Sequence, residues 1–282
     1  MNIKITADST CDLSAELIEK YDIGIFPLYI IKGGQSFRDG VDITPQDIFD
    51  HVAAGGEICS TSAVNVVDYA EKFAELSPKY DAVIHINISS DFSACHQNAL
   101  LAAQNFENVY AVDSRNLSTG IGHITIEAAI MAKQGLEPKE IVERLEELID
   151  RVEASFVIDK LDYLKKGGRC SAVAAAGANL LSLKPCIEVK DGAMQVGKKY
   201  KGSFEKTLKK YVKDRLKGRT DIDTRRIFIT HTDCTPEMTS DVRSFIEEHQ
   251  HFDEILITNA GCTISSHCGP NTLGILFIRK AQ

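Results

Sequence analysis

Residues 83–99 read VIHINISSDFSACHQNA, an apolar run that spills into three serines and then resumes with helical spacing. The first half has the near-continuous hydrophobicity of a strand buried on both faces. Its exit carries Ser89, Ser90 and Ser93, with Cys95 and His96 behind them and no glycine. A strand–turn–helix junction of this kind belongs to parallel α/β sheets, which place their ligands at the carboxyl ends of the strands.

The surrounding chain repeats that alternation. KITAD, IGIFPLYII, YDAVIHINIS and VYAVDS are predicted strands; SAELIEKY, TPQDIFDHVAA, VVDYAEKFAEL, HQNALLAAQNF and GIGHITIEAAIMAKQG are predicted helices. The pattern predicts an N-terminal parallel-sheet α/β domain. After a charged amphipathic helix over 138–154 the character changes. A strand and helical turn in FVIDKLDYLKKGGR, an Ala-rich helix, a hairpin turning at Asp191-Gly192 and further helices and strands predict a C-terminal α+β domain. The expected domains are 1–153 and 154–282. At 282 residues two domains are the ordinary expectation.

Composition narrows the class. Apolar residues make up 44% and charged residues 26%, the balance of a water-soluble globular chain. No apolar run reaches the roughly 20 residues of a transmembrane helix, and MNIKITADST reads as a strand entering a turn and not as a signal peptide. A cytoplasmic protein is expected. The eight cysteines form no CxxC pair, so they read as small buried hydrophobes, and Cys262, His267 and Cys268 do not match a structural zinc spacing. No metal is expected.

Charge is unevenly spread: residues 160–219 hold sixteen Lys and Arg against five Asp and Glu, while the whole chain is −8. Few aromatics interleave with these cations, which argues against a nucleic-acid surface. A solvated helix face and a docking face for an acidic partner both fit.

Polar side chains crowd four predicted strand ends: Asp8-Ser9-Thr10, Ser60-Thr61-Ser62, Ser89 to Ser93, and Asp113 to Asn116 with Ser118-Thr119. Each alone reads as a helix cap. Together on one rim they predict an anion site built from hydroxyls and backbone N–H groups. Neither GxxxxGK[ST] nor GxGxxG is present, so no nucleotide cofactor is expected. FSACH lacks the GxSxG elbow of a serine hydrolase, although Ser93 lies one helical turn from His96. The second polar focus, GCTISSHCGPNTLGILF at 261–277, predicts a rigid turn that holds His267 against the end of a strand.

The ordered motifs DSTCDL (8–13), FRDGVDIT (37–44), TS (61–62), SSDFS (89–93), DSRNLSTGIG (113–122), YLKKGGRCS (163–171), LLSLKP (180–185), DG (191–192), ITHTDC (229–234) and HCGPNTLGILF (267–277) together resemble the DegV family of bacterial fatty-acid-binding proteins. The resemblance runs nearly end to end. It implies two α/β domains with a long-chain fatty acid between them, and similarity to FakB, the carrier subunit of fatty acid kinase. That carrier presents the acyl chain to a separate ATP-using kinase subunit, and the acyl phosphate feeds phospholipid synthesis. The implied carboxylate contacts fall on Thr61, Ser62, Ser93 and His267; the implied kinase-docking segment is Gly167-Gly168-Arg169, with Lys165 and Lys166 beside it. The flanks depart from the family: TSAVN stands where TSQPS is usual, SACHQNA where SGTYQSA is common, and HCGPN where HTGPG is common.

Burying an acyl tail contributes roughly 0.8 kcal/mol per methylene, and a hydrogen bond to a carboxylate roughly 1.5–3 kcal/mol. Tail burial therefore sets affinity and hydroxyls set orientation. The Ala-rich stretch AVAAAGANLLSLKPCI (172–187) is an expected wall of the tail pocket, or a helix whose alanines permit close packing. The rival reading is a hydrolase of esters or thioesters using Ser93 with His267 or His96. A regulatory lipid sensor is a third.

Overall fold

The computed structural model describes residues 1–171, 173 and 183–281. Strand β1 (Ile3–Asp8), β2 (Gly24–Phe26), β3 (Tyr29–Lys32), β4 (Gln35–Arg38), β5 (Ser60–Ser62), β6 (Ala82–Asn87) and β7 (Val109–Asp113) build two sheets. The first is parallel throughout, in the order β2-β1-β6-β7; the second is the small antiparallel sheet β4-β3-β5. Strands β8 (Val152–Ile158), β9 (Lys184–Lys190), β10 (Ala193–Tyr200), β11 (Ile222–Thr232), β12 (Glu254–Asn259) and β13 (Thr272–Arg279) form a six-stranded mixed sheet, β10-β9-β8-β13-β11-β12. The expected N-terminal parallel sheet and C-terminal α+β arrangement are both present.

The strand predicted over IGIFPLYII is two strands. Pro27 lacks the N–H that a continuous ladder needs, so Gly24–Phe26 stays in the parallel sheet and Tyr29–Lys32 leaves for the small one. The predicted helix over 138–154 stops at Ile149. Its Ile141, Leu145, Leu148 and Ile149 are buried at helical spacing, but from Val152 the chain pairs with β13, and the division expected after residue 153 falls inside β8. The hairpin at Asp191-Gly192 forms as predicted, both residues at positive φ.

Helix Thr119–Lys133 joins the two halves. Ten of its fifteen residues are buried, because it packs on β1 to one side and on β8 and β13 to the other. Its His123 is fully buried with Nε2 3.0 Å from the Leu276 carbonyl. One apolar cluster runs from Ile5 and Ile86 through Ile121 and Ile124 to Phe156 and Leu276.

All four strands of the parallel sheet point the same way, so Asp8, Asn87 and Asp113 end on one edge. The buried Asp8 carboxylate ties that edge together. It accepts hydrogen bonds from Tyr69 Oη (2.6 Å), the Asn87 amide (3.2 Å) and the Ile88 backbone N–H (2.9 Å), with His85 Nε2 at 3.1 Å. The loop of Ser89 to Ser93 therefore leaves β6 from a fixed point.

Candidate functional site: a hydroxyl-rimmed apolar cavity

Thr61 and Ser62 lie on β5, where Ile30↔Thr61 and Tyr29↔Ser62 pairing holds them. This corrects the capping alternative for Ser60-Thr61-Ser62, since the cap of helix Val66–Leu76 is Asn65, whose side chain accepts from the Asp68 N–H. Ser93 closes the loop after β6. Its Oγ donates to Cys95 Sγ (3.1 Å) and accepts from the Cys95 N–H (3.3 Å). Burial pushes the Cys95 thiol up to about 12, so it stays protonated.

His267 is not on a turn. Cys262–Cys268 is a helix, and the expected rigid turn begins only at Gly269. The run CTISSHC contains no strong helix former, which hid the helix from propensity; its first N–H groups are instead bonded by distant carboxyl groups. Asp12 accepts from the Gly261 N–H (2.8 Å), and Asp39 from the Cys262 and Thr263 N–H groups (2.8 and 3.1 Å).

Thr61, Ser62, Ser93 and His267 line one cavity of about 290 Å³. Thr61 Oγ1 and His267 Nε2 are 2.8 Å apart across 206 residues of sequence. Behind the polar mouth the walls are apolar: Leu28, Ile88, Phe92, Leu117, Leu164, Met194 and Ile264. Burial, then the Arg169 guanidinium, push the His267 pKa down to about 4, so the ring is neutral near pH 7. Nδ1 is buried and, among the described residues, has no hydrogen-bond partner. A proton there would be an orphaned donor, which assigns the proton to Nε2 and makes it a donor to Thr61. The Thr61 hydroxyl hydrogen is then free to point into the cavity.

The cation segment sits at the same mouth. Helix Asp162–Gly167 places Leu164 in the wall, and Gly167 presses on His267 so closely that a Cβ would lie 2.2 Å from Nδ1. Only glycine fits there. Arg169 is exposed, donates to the Gly167 carbonyl (2.8 Å) and lines the cavity mouth. Lys166 is exposed, 3.9 Å from Glu57, and Lys165 is half-buried.

Of the four hydroxyl clusters, two reach the cavity. The others make joints: Ser9 donates to Asp39 (3.0 Å), Ser118 to Asp12 (2.6 Å), and Asp113 accepts from Arg115 N–H (2.9 Å). Ser89 also turns away, donating to the Gly192 carbonyl (2.8 Å). Of the Ala-rich stretch 172–187, residues 172 and 174–182 lie outside the described residues; among the rest, none lines the cavity. Neither imidazole of the hydrolase reading is hydrogen bonded to Ser93 among the described residues. His96 Nδ1 faces Asn87 Oδ1 (3.4 Å), and His267 faces Thr61. Leu28, Met194, Leu117 and Ile264 escaped sequence reasoning because each is an ordinary core residue in its own element. Asp39 stood in the FRDG motif without a role.

A second recess of about 740 Å³ is lined by Arg115, Arg215, Arg219 and Arg279 and holds none of the expected site residues. All eight cysteine side chains are buried. Among the described residues there is no group of three or more His, Cys, Asp or Glu able to hold a metal, and no helix long and apolar enough to cross a membrane.

Residues 2–280 match the family model described as "Uncharacterised protein, DegV family". A DegV domain-containing protein of Caldanaerobacter subterraneus subsp. tengcongensis is 31% identical over 281 residues, 99% of each chain. Among solved structures, a DegV family protein from Thermus thermophilus, described as fatty acid binding, superposes with a TM-score of 0.88 at 29% identity, over 99% of this chain and 100% of that one. DegV from Bacillus subtilis, described as a fatty acid binding protein, gives 0.83 at 26% identity, over 99% and 100%. The fold, the full-length match and the ordered motifs agree, and the chain belongs to the DegV family.

Proposed function

We propose that this protein binds a long-chain fatty acid between its N-terminal and C-terminal units, carboxylate at the polar mouth and tail among the apolar walls. The observation that carries this reading is the convergence of Thr61, Ser62, Ser93 and His267, from three separate segments, on the mouth of one apolar cavity. Hydroxyl donors satisfy a carboxylate without the bidentate grip of an arginine, and so leave its oxygens open to a phosphoryl donor. Family relatives described as fatty acid binding support the ligand class.

The finer reading is a cytoplasmic carrier without catalysis of its own. It presents the carboxylate to an ATP-dependent fatty acid kinase subunit, which docks on Lys165, Lys166 and Arg169, for acyl-phosphate formation in phospholipid synthesis. The neutral His267 acts on the carboxylate through Thr61, orienting that hydroxyl toward it. No cofactor is part of this reading; the fatty acid is the ligand. Organic extraction of freshly purified protein, followed by mass spectrometry, tests it. Stoichiometric long-chain fatty acid is expected, whereas an empty protein that cleaves an activated ester would replace the carrier with a hydrolase.

A further inference from the structure

Helix Cys262–Cys268 carries the imidazole at the cavity mouth and the Ile264 wall, yet its seven residues are too few to hold a helix unaided. Its opening N–H groups, those of Gly261, Cys262 and Thr263, need acceptors. Its own loop supplies no side-chain cap. The acceptors come from more than 220 residues earlier. Asp12 takes the Gly261 N–H at 2.8 Å; Asp39 takes those of Cys262 (2.8 Å) and Thr263 (3.1 Å), and the Thr263 hydroxyl at 2.7 Å. Ser9 adds a fourth hydrogen bond to Asp39 at 3.0 Å. Gly261 makes room for both carboxyl groups, because a Cβ there would lie 3.2 Å from Asp12 and 3.3 Å from Asp39.

The helix is thus gripped at its start by Asp12 and Asp39 and at its end by Thr61 on His267. Seven residues span about 10 Å, so a 10° tilt about the clamped end would carry the imidazole roughly 2 Å. Binding groups need placement within about 0.5 Å and 10–20°.

We propose that Asp39, seconded by Asp12, is a positioning residue for head-group recognition: by bonding the opening turn of helix Cys262–Cys268, it sets where His267 holds Thr61. The inference rests on the fatty-acid reading above. It assigns the aspartate of the FRDG segment a role in choosing an acid over an uncharged ligand of equal length, with tail binding left alone.

The test compares tetradecanoic acid with tetradecanol, each displacing a fluorescent fatty acid from wild-type and Asp39→Asn protein. Both are measured below the onset of unfolding in a thermal scan. Asp39→Asn is expected to weaken the acid roughly tenfold while the alcohol changes less than about twofold. Ser9→Ala, which removes a donor to Asp39 and the acceptor of the Leu28 N–H (3.1 Å), is expected to shift the acid-to-alcohol ratio the same way by roughly threefold, since a change at the Leu28 wall touches acid and alcohol tails alike, and it decides the matter should Asp39→Asn not fold. Equal losses for acid and alcohol, or an unchanged ratio in folded Asp39→Asn or Ser9→Ala, would overturn the assignment and leave a purely structural cap. Wild-type protein that takes up neither ligand would instead defeat the fatty-acid reading itself.

Discussion

Two recesses of this molecule invite an anion, and they are built on opposite principles. The cleft of Arg115, Arg215, Arg219 and Arg279 is rich in cations, but its charges are already spent on one another. Glu153 alone receives Arg215 (2.6 Å), Arg219 (2.8 Å) and Arg279 (3.4 Å), and Arg215 also meets Glu188 at 3.2 Å. Among the described residues, the cavity of Thr61, Ser93 and His267 has one cation, Arg169, at its edge and otherwise offers hydroxyls in front of apolar walls. An incoming carboxylate in the first must displace a paired glutamate. In the second it meets hydroxyls bonded to neutral neighbours, Thr61 to His267 and Ser93 to Cys95, and a place for a tail. Counting charges points to the arginine cleft; asking which donors are already held by a counter-ion points to the hydroxyl cavity.

The comparison breaks most visibly at Glu153. Glu153→Gln is expected to cost about 4 kcal/mol of stability, because three partly buried guanidiniums lose their shared partner. The lipid carried per folded molecule is expected to stay the same, as read by denaturant titration beside lipid extraction. Loss of lipid from folded protein would move the ligand to the cleft.

The next effect is acid sensitivity. Folded His267 has a pKa near 4 against about 6.5 when unfolded, so the unfolded chain binds the proton more tightly. Its stabilising contribution is complete above pH 6.5 and is lost as pH falls through 4, an amount on the order of 3 kcal/mol. His123, pushed down to about 3 by burial, works in the same direction. Asp12, raised by burial to about 8, works in the opposite one, its contribution being lost as pH rises from about 4 to 8. Urea midpoints between pH 7 and 4 should fall less steeply in His267→Gln than in wild type.

Ser93→Ala is expected to remove a carboxylate hydrogen bond, or roughly 1.5–3 kcal/mol of fatty-acid affinity, and, on the carrier reading proposed above, to slow acyl-phosphate formation with a kinase subunit. Unchanged acyl-phosphate formation with lipid still bound would strip Ser93 of its role. The smallest effect belongs to the rim. On the carrier reading proposed above, Lys166→Glu should raise a kinase's apparent KM for the loaded protein a few-fold, with lipid content constant, as exposed charges act mainly on encounter. An unchanged KM would make Lys166 ordinary solvated surface.

The parallel sheet was legible because its strands are nearly continuous apolar runs and its helices keep 3.6-residue spacing. The division of labour among the hydroxyls was not. Ser89 and Ser93 look alike in SSDFS, yet one bonds the Gly192 carbonyl of a hairpin a hundred residues on and the other lines the cavity. Helix Cys262–Cys268 was missed for a related reason: its stability comes from Asp12 and Asp39, and local propensity carries no trace of partners so distant. Thr61, Ser62, Ser93 and His267 were named from ordered motifs and the fold brings them to one cavity, whereas Leu28, Leu117 and Met194 became visible only when the chain closed around them.

A crystal structure with a bound long-chain fatty acid bears most directly on the choice between the recesses. The carboxylate is expected within hydrogen-bonding distance of Thr61 Oγ1 and Ser93 Oγ, with the acyl chain running inward past Leu117 and Ile264. A carboxylate seated among Arg115, Arg215 and Arg219, or a tail lying on the outer surface, would contradict it.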